Sequence, residues 1–508
     1  MENITWRQFE AGRDYNRRIG LYENAAVNER FYRGDQWKSV ASGPLPTPVF
    51  NFIRRITDFL VAQAASAQAD ILYSDENLPF VMDEHHRERI GEAVALLNRH
   101  AAFRWEKSRM DQLVRQVLLD AALTGDGIFF TYWDAGIRTG QPLTGDFVTT
   151  SLDGANLFVE NVNSADIQSQ RYVMISGRAS VEALRAEAIA CGAPAEDIAK
   201  IKPDGDLHYG AGDCAAYENL DASAAKATYV IKFTRDERGY VQFEKCTKEC
   251  VIRRTVTGLR LYPIAMFRWI PTKNSYHGTS PVTPLIQNQK YINKSYALMM
   301  KHMIDAAFSK VVYDKTRIPE WTNEVGQAIG VAGGNLDGIA ATIKPGEMDE
   351  GFADIIGDVI KNTKDSMGAT DASLGEASPN NTSAIVALQE SNAITLDSVR
   401  ASLYGAIEEL AAIWVDFMCA YYADGRMLLT GDGAAAIDCR LLREELISAR
   451  VDVGASTRFT KASALSALNT LLDGGHITLA QYLARVPDGV IPKRDELLLE
   501  VTGGEANG

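Results

Sequence analysis

The chain lacks the Gly-Lys dipeptide that a Walker-type phosphate loop requires; it occurs nowhere in the 508 residues. No G-x-S-x-G elbow, H-E-x-x-H pair or G-x-G-x-x-G fingerprint is present either. ATP hydrolysis, serine-elbow acyl transfer, zinc proteolysis and dinucleotide binding therefore lose their usual anchors. Cysteine is sparse, with six scattered residues (Cys191, Cys214, Cys246, Cys250, Cys419 and Cys439), and the polar start MENITWRQFEAGRDYNRR reads as no leader. That pattern suits reduced thiols in a cytoplasm. Cys246 and Cys250 have no partner Cys or His pair close in sequence, and His85-His86 sits in the charged run DEHHRER, so neither reads as a metal site. No run of about 18 apolar residues exists, because the best candidate, Leu403 to Tyr422, carries Glu408, Glu409 and Asp416. Positive charge is also in deficit. Lys and Arg total 52 against 66 Asp and Glu, a net charge of −14, so nucleic-acid binding by counterion release needs a local basic patch.

What is present is a globular composition, 46% hydrophobic and 23% charged, in a chain long enough for two to four domains. Ile4 to Trp37 sets Trp6, Phe9, Ile19, Tyr22 and Phe31 in a helical rhythm that breaks at Gly34. Leu45-Pro46-Thr47-Pro48 forces an extended connection, and a second helix follows with Phe52, Ile56, Phe59 and Leu60 on one side. Helical patterning from Arg87 to Leu123 gives way at Gly125-Asp126-Gly127 to IFFTYW, the aromatic and β-branched run of a buried strand. Strand and turn patterns continue to about Trp269. TYVIKF (Thr228 to Phe233) and YVQFEK (Tyr240 to Lys245) predict a hairpin, Val251 to Val256 and Ile264 to Ile270 further strands, and Val181 to Ala190 a short helix.

The pattern changes after Pro271. From Ser280 to Phe308, Leu285, Ile292, Tyr296, Met299 and Met303 form one narrow apolar stripe on a helix of roughly 40 Å, with Pro281 and Pro284 tolerated in its opening turn. Strand-like KVVYD and IAATIKP then flank the glycine-rich GVAGGNLDG, before another helix from Asp349 to Met367. A polar stretch, Gly368 to Ser383, ends in the N-cap candidates Thr382 and Ser383. Leu396, Val399, Leu403, Ile407, Leu410, Trp414, Phe417 and Tyr421 then mark a helix near 60 Å long if continuous from Ala384. Leu441 to Leu499 reads as a small helical domain, and the tail VTGGEANG as disordered.

Three stretches carry a resemblance: FYRGDQW (Phe31 to Trp37) followed by LPTPVFNFIRRITDFLVA, YHGTSPVTPLIQNQKYINKSYALMM (Tyr276 to Met300), and LGEASPNNTSAIVALQESN (Leu374 to Asn392). In this order, and with this succession of helices, β insertion and polar loop, the chain resembles the portal proteins of tailed double-stranded DNA bacteriophages over nearly its whole length. The resemblance implies an α+β, predominantly helical fold. Its parts would be a mixed α/β wing (1–275), first stem helix (276–308), small β-containing clip (309–348), second stem helix (349–367), tunnel loop (368–383), long helix (384–425), helical crown (426–499) and tail (500–508). It further implies a homo-oligomeric, dodecameric ring at one capsid vertex of the virion, assembled in the host cytoplasm with scaffold and major capsid protein and touching no membrane. Such a ring conducts double-stranded DNA in packaging and ejection, docks the large terminase and then the head-to-tail adaptor, and has neither cofactor nor catalysis. An acidic conduit through which DNA slides without sticking is consistent with the charge.

On the first stem helix, Lys290, Lys294 and Lys301 fall within about 40° of one another, nearly opposite the apolar stripe. Facing a lumen they would touch passing phosphates; alternatively they pair with Asp354 or Asp358 of the second stem helix, or face solvent. The tunnel-loop candidates Asp371, Ser373, Leu374, Glu376, Ser378, Asn380 and Asn381 include two acids and no base, which fits a weakly interacting gasket or an ordinary surface loop. In the clip, Trp321 and the apolar run around Ile329 are candidates for partner docking, with Trp321 equally a core residue of that small unit. The reading from another class is a metal-dependent nuclease of a virus or mobile element, using dispersed carboxylates.

Overall fold

The computed structural model describes residues 3–38, 40, 43, 45–66, 70–74, 83–205, 208–210, 225–307, 310–321, 329–335, 337–343, 351–369, 396–422, 426–431, 433–436, 448–452, 468–483, 485–486 and 497. Asp371, Ser373, Leu374, Glu376, Ser378, Asn380 and Asn381, the whole Leu374 to Asn392 stretch, Cys214, Cys439 and the tail lie outside them.

Helix α1 (Ile4–Arg18) begins where Asn3 accepts the Thr5 amide at 3.1 Å, satisfying one of the free donors of the first turn. Helix α2 (Leu21–Arg33) stops at Gly34, whose φ of 94° is open to glycine at little cost. After the prolines, Asn51 caps α3 (Phe52–Ala65) through the Arg54 amide. Strand β1 (Asp70–Ser74), α4 (Glu84–Lys107) and α5 (Met110–Thr124) follow. The IFFTYW run lies in β2 (Asp126–Asp134), the centre of a three-stranded antiparallel sheet, with Ile128 and Phe129 fully buried. Its neighbours are β3 (Asp146–Asp153) and, later in the chain, the strand Ile264–Arg268.

Next come β4 (Leu157–Val159), β5 (Tyr172–Ser180), β6 (Lys226–Arg235), β7 (Val241–Cys246) and β8 (Val251–Val256), a five-stranded antiparallel meander with α6 (Val181–Ala190) and the one-turn α7 (Ala195–Ile198) inserted after β5. The predicted hairpin is there, with Phe233 opposite Phe243. One face of the meander is covered by α1, whose Trp6 and Phe9 pack on Phe158, Met174, Val230 and Cys246. Burial pushes the Cys246 thiol up to about 12, so it is an inert core group rather than a reactive or ligating one.

Beyond β9 (Ile264–Arg268), the short pair β10 (Ile270–Pro271) and β11 (Gly278–Thr279) leads into α8 (Val282–Ala307). Strands β12 (Lys310–Tyr313) and β13 (Ala340–Ile343) pair with each other, and α9 (Gly351–Ser366) runs back antiparallel along α8, Asn288 donating to the Thr363 hydroxyl at 2.9 Å. Helix α10 (Asp397–Tyr421) lies across the three-stranded sheet, where Trp414 and Phe417 flank Phe147 at 5.9 and 5.8 Å between ring centroids. Burying each such side chain stabilises the fold by about 1.5–3 kcal/mol. The part of the predicted long helix before Leu396 lies outside the described residues. No helix among the described residues is long and apolar enough to cross a membrane.

The fold is mixed α/β, as expected, with one departure. The region read as opening a helical domain contributes strands: the hairpin β14 (Met427–Thr430) and β15 (Gly433–Ala436), and β16 (Ser448–Asp452), which pairs antiparallel with β1. Ala449 and Val451 alternate onto the main core, and the Val451 amide donates to Glu408 of α10 at 3.0 Å, so tertiary contacts override a weak local helical pattern.

Candidate functional site

The position of α8 is set by the Tyr276 to Pro281 segment that precedes it. Asp126, fully buried at the start of β2, accepts the Gly278 amide at 2.7 Å and meets His277 Nδ1 at 2.5 Å. The other ring nitrogen of His277 lies 3.1 Å from Asn16 Oδ1 on α1. Burial drives the Tyr276 phenol well above its ordinary pKa, so it keeps its proton and donates to Leu157 O at 3.1 Å. The backbones of Gly125 and Gly278 cross so closely that a Cβ on Gly125 would sit 2.5 Å from Gly278 O, and Gly125 has a φ of 102°. Ser280 then donates to Ala122 O and accepts the Val282 amide at 3.0 Å, capping α8.

A second set of polar contacts holds the flank of the same helix. Gln289 donates to Phe50 O at 2.8 Å and to Asn293 Oδ1 at 2.9 Å; Asn293 donates to Gln36 Oε1 at 2.6 Å; Gln36 donates to Phe31 O at 3.0 Å and Asn51 Oδ1 at 3.1 Å. Gln36, Gln289 and Asn293 are all buried. An orphaned amide in such a ladder costs about 1–3 kcal/mol, so the ladder fixes α8 relative to the Phe31 to Trp37 turn and the head of α3. Two of the three stretches that carried the resemblance are thus one physical unit. The readable signal was a pair of amides at i, i+4 on the apolar side of a helix, where they need partners.

The opposite side of α8 is open. Lys290 and Lys294 are exposed and border a groove of about 510 Å³ that also has Gln36, Trp37, Gln287 and Tyr291 in its lining. The Trp37 indole is anchored by donating to Pro48 O at 2.8 Å, and the Lys290 ammonium lies 5.7 Å from the Phe31 ring centroid. Lys301 is not in this groove; it pairs with Asp305 one turn along at 3.2 Å. The structure therefore brings Lys290 and Lys294 together and neutralises Lys301. No ion pair from these lysines to Asp354 or Asp358 occurs among the described residues. The reason is geometric: Asn288 marks the side where α9 packs, and the lysines stand about 120–160° away around α8.

The apolar stripe of α8 is buried only at first. Leu285 and Ile292 are in the core and Tyr296 and Met299 half-buried, whereas Met303 is 64% exposed. Tyr291, Leu298 and Ile304 on α8, and Phe352 and Ile355 on α9, are also exposed. Trp321 is half-buried and stacks on Tyr313 of β12 with centroids 5.4 Å apart; Ile329 is exposed. The groove aromatics Trp37 and Tyr291 and the buried Asp126–His277 pair were not singled out by sequence.

Residues 211–434 match the family model of the Phage P22-like portal protein. No curated protein matches the chain significantly. Among solved structures, a chain of the virion of a native gene transfer agent particle is 10% identical, with a TM-score of 0.39 and 94% of this chain and 93% of that chain covered. A chain of the neck of an empty gene transfer agent particle, computed with C6 symmetry, is 9% identical with a TM-score of 0.38, covering 91% and 95%. The family match bears out the resemblance to portal proteins.

Proposed function

We propose that the chain is the subunit of a portal-type ring, a structural head-to-tail connector of a phage-like particle, through whose axial channel double-stranded DNA passes in packaging and ejection. The observation that carries this reading is the surface of the α8–α9 pair. One side of α8 is locked into the fold by buried amides, and α9 covers another. The remaining arc sets exposed Tyr291 and Leu298 beside Lys290 and Lys294. Exposed apolar side chains at helical spacing favour burial against a neighbour, and a closed ring supplies two neighbours per subunit. The family match supports the reading, since residues 211–434 include α8, α9 and α10.

In such a ring Lys290 and Lys294 repeat around the lumen as a belt of positive charge. A belt of two lysines per subunit, in a protein of net charge −14, keeps phosphate contacts weak enough for DNA to slide. The unit containing β12, β13, Trp321 and Ile329 serves as the clip that docks the terminase and later the adaptor.

Electron microscopy of the purified full chain tests the ring. A twelve-fold ring with a central hole has a mass near 670 kDa from 55.7 kDa subunits; a monomer or dimer at every concentration, and with scaffold present, refutes it. Reversing Lys290 and Lys294 to glutamate should leave rings intact and lower DNA packaging at least tenfold. Normal packaging by that variant refutes the lumenal role.

A further inference from the structure

We propose that the cavity between the two sheets is a docking site for a peptide segment of a partner protein that carries an aromatic side chain next to carboxylates. The cavity holds about 580 Å³, room for one or two large side chains. Its floor is the face of the meander not covered by α1, with Tyr229 and Ile231 of β6 and Phe243 of β7; Tyr132 and Trp133 of β2 and Tyr421 of α10 form a wall. Trp133 and Tyr421 stack at 4.9 Å and 12°, giving the wall a preformed aromatic plate.

The charge pattern specifies the occupant. Lys245 and Arg253 stand directly opposite each other across β7 and β8, both lining the cavity. Like charges so placed weaken a strand pair. On the other face of the same two strands, Glu244 and Arg254 are opposite and ion-paired. Glu187 of α6 holds the Lys245 ammonium at 2.7 Å, but exposed Arg253 forms no ion pair among the described residues. Arg253 thus stands without a carboxylate partner among the described residues, 5.7 Å over the Phe243 ring and on the same cavity as the Trp133–Tyr421 plate. A carboxylate adjoining an aromatic ring satisfies both features. The site is remote in sequence from α8 and does not depend on the ring reading.

Selection of a random nine-residue peptide library on the purified full chain tests the proposal, followed by fluorescence anisotropy of the selected peptides. The expected result is enrichment of sequences that join Asp or Glu to Trp, Tyr or Phe. Arg253→Glu should weaken their binding at least tenfold, and Tyr132→Ala should weaken it too. Arg238→Glu, the same charge change in the exposed turn between β6 and β7, should leave it within twofold. Thermal melts of the three variants matching the parent confirm that folding is intact. Absence of acidic-aromatic enrichment, equal affinity of Arg253→Glu, equal loss in Arg238→Glu, or binding of single-stranded DNA that displaces the peptides overturns it.

Discussion

Replacing Asp126 by alanine removes the group on which the approach to α8 is built. The carboxylate has no solvent exposure and accepts from the Gly278 amide and from His277 Nδ1. Its loss leaves the buried Gly278 amide and the buried His277 ring nitrogen without their partner, each costing about 1–3 kcal/mol. Asp126→Ala should therefore lower stability by about 3–5 kcal/mol, a large part of the roughly 5–15 kcal/mol that holds a domain together. Asp126→Asn retains an oxygen for Gly278 and disturbs only the histidine contact, for a loss of about 1–2 kcal/mol. Asn16→Ala, which removes the partner of the other ring nitrogen, should fall near the same value. The assay is urea unfolding of the full chain followed by tryptophan fluorescence, with ring yield measured where each variant is still folded. A loss below about 1 kcal/mol for Asp126→Ala, or equal losses for Ala and Asn, refutes the argument that this carboxylate anchors α8.

Gly125→Ala should lower the melting temperature, because its Cβ would meet Gly278 O at 2.5 Å in a left-handed backbone; Gly91→Ala in α4, with open space around it, should raise stability by about 0.5–1 kcal/mol, and equal melts for the two variants would contradict this. Burial beside Asp153 and Glu29 pushes the Asp120 carboxyl up to about 7, and burial likewise raises Asp153 to about 6. The folded chain then holds these protons more tightly than the unfolded one, so the stability these two groups contribute is fully present below the ordinary value of 3.8 and is lost as pH rises through about 6 and 7. Asp120→Asn should accordingly stabilise the protein at pH 8 and leave it nearly unchanged at pH 4, as thermal melts at the two values would reveal.

Local periodicity was sufficient for the elements whose burial is decided within one turn or one strand. Val181 to Ala190 was legible as a helix, Thr228 to Lys245 as a hairpin, and the stripe through Leu285 and Ile292 as the buried side of α8. The order of these parts also carried the portal resemblance. Periodicity names a buried face without naming its partner, and there the reading ended. Nothing local pairs Asp70–Ser74 with Ser448–Asp452, because a strand's pairing partner is chosen by the chain's path rather than by neighbouring residues. The sequence could place Lys290, Lys294 and Lys301 on one side of a helix. Only the tertiary structure put α9 on a different side, left Lys290 and Lys294 open beside Trp37, and turned Met303 outward where the packing of α8 ends. The Asp126–His277 pair joins residues from a strand and a distant turn, and a buried carboxylate becomes visible only when the elements that exclude water from it are assembled.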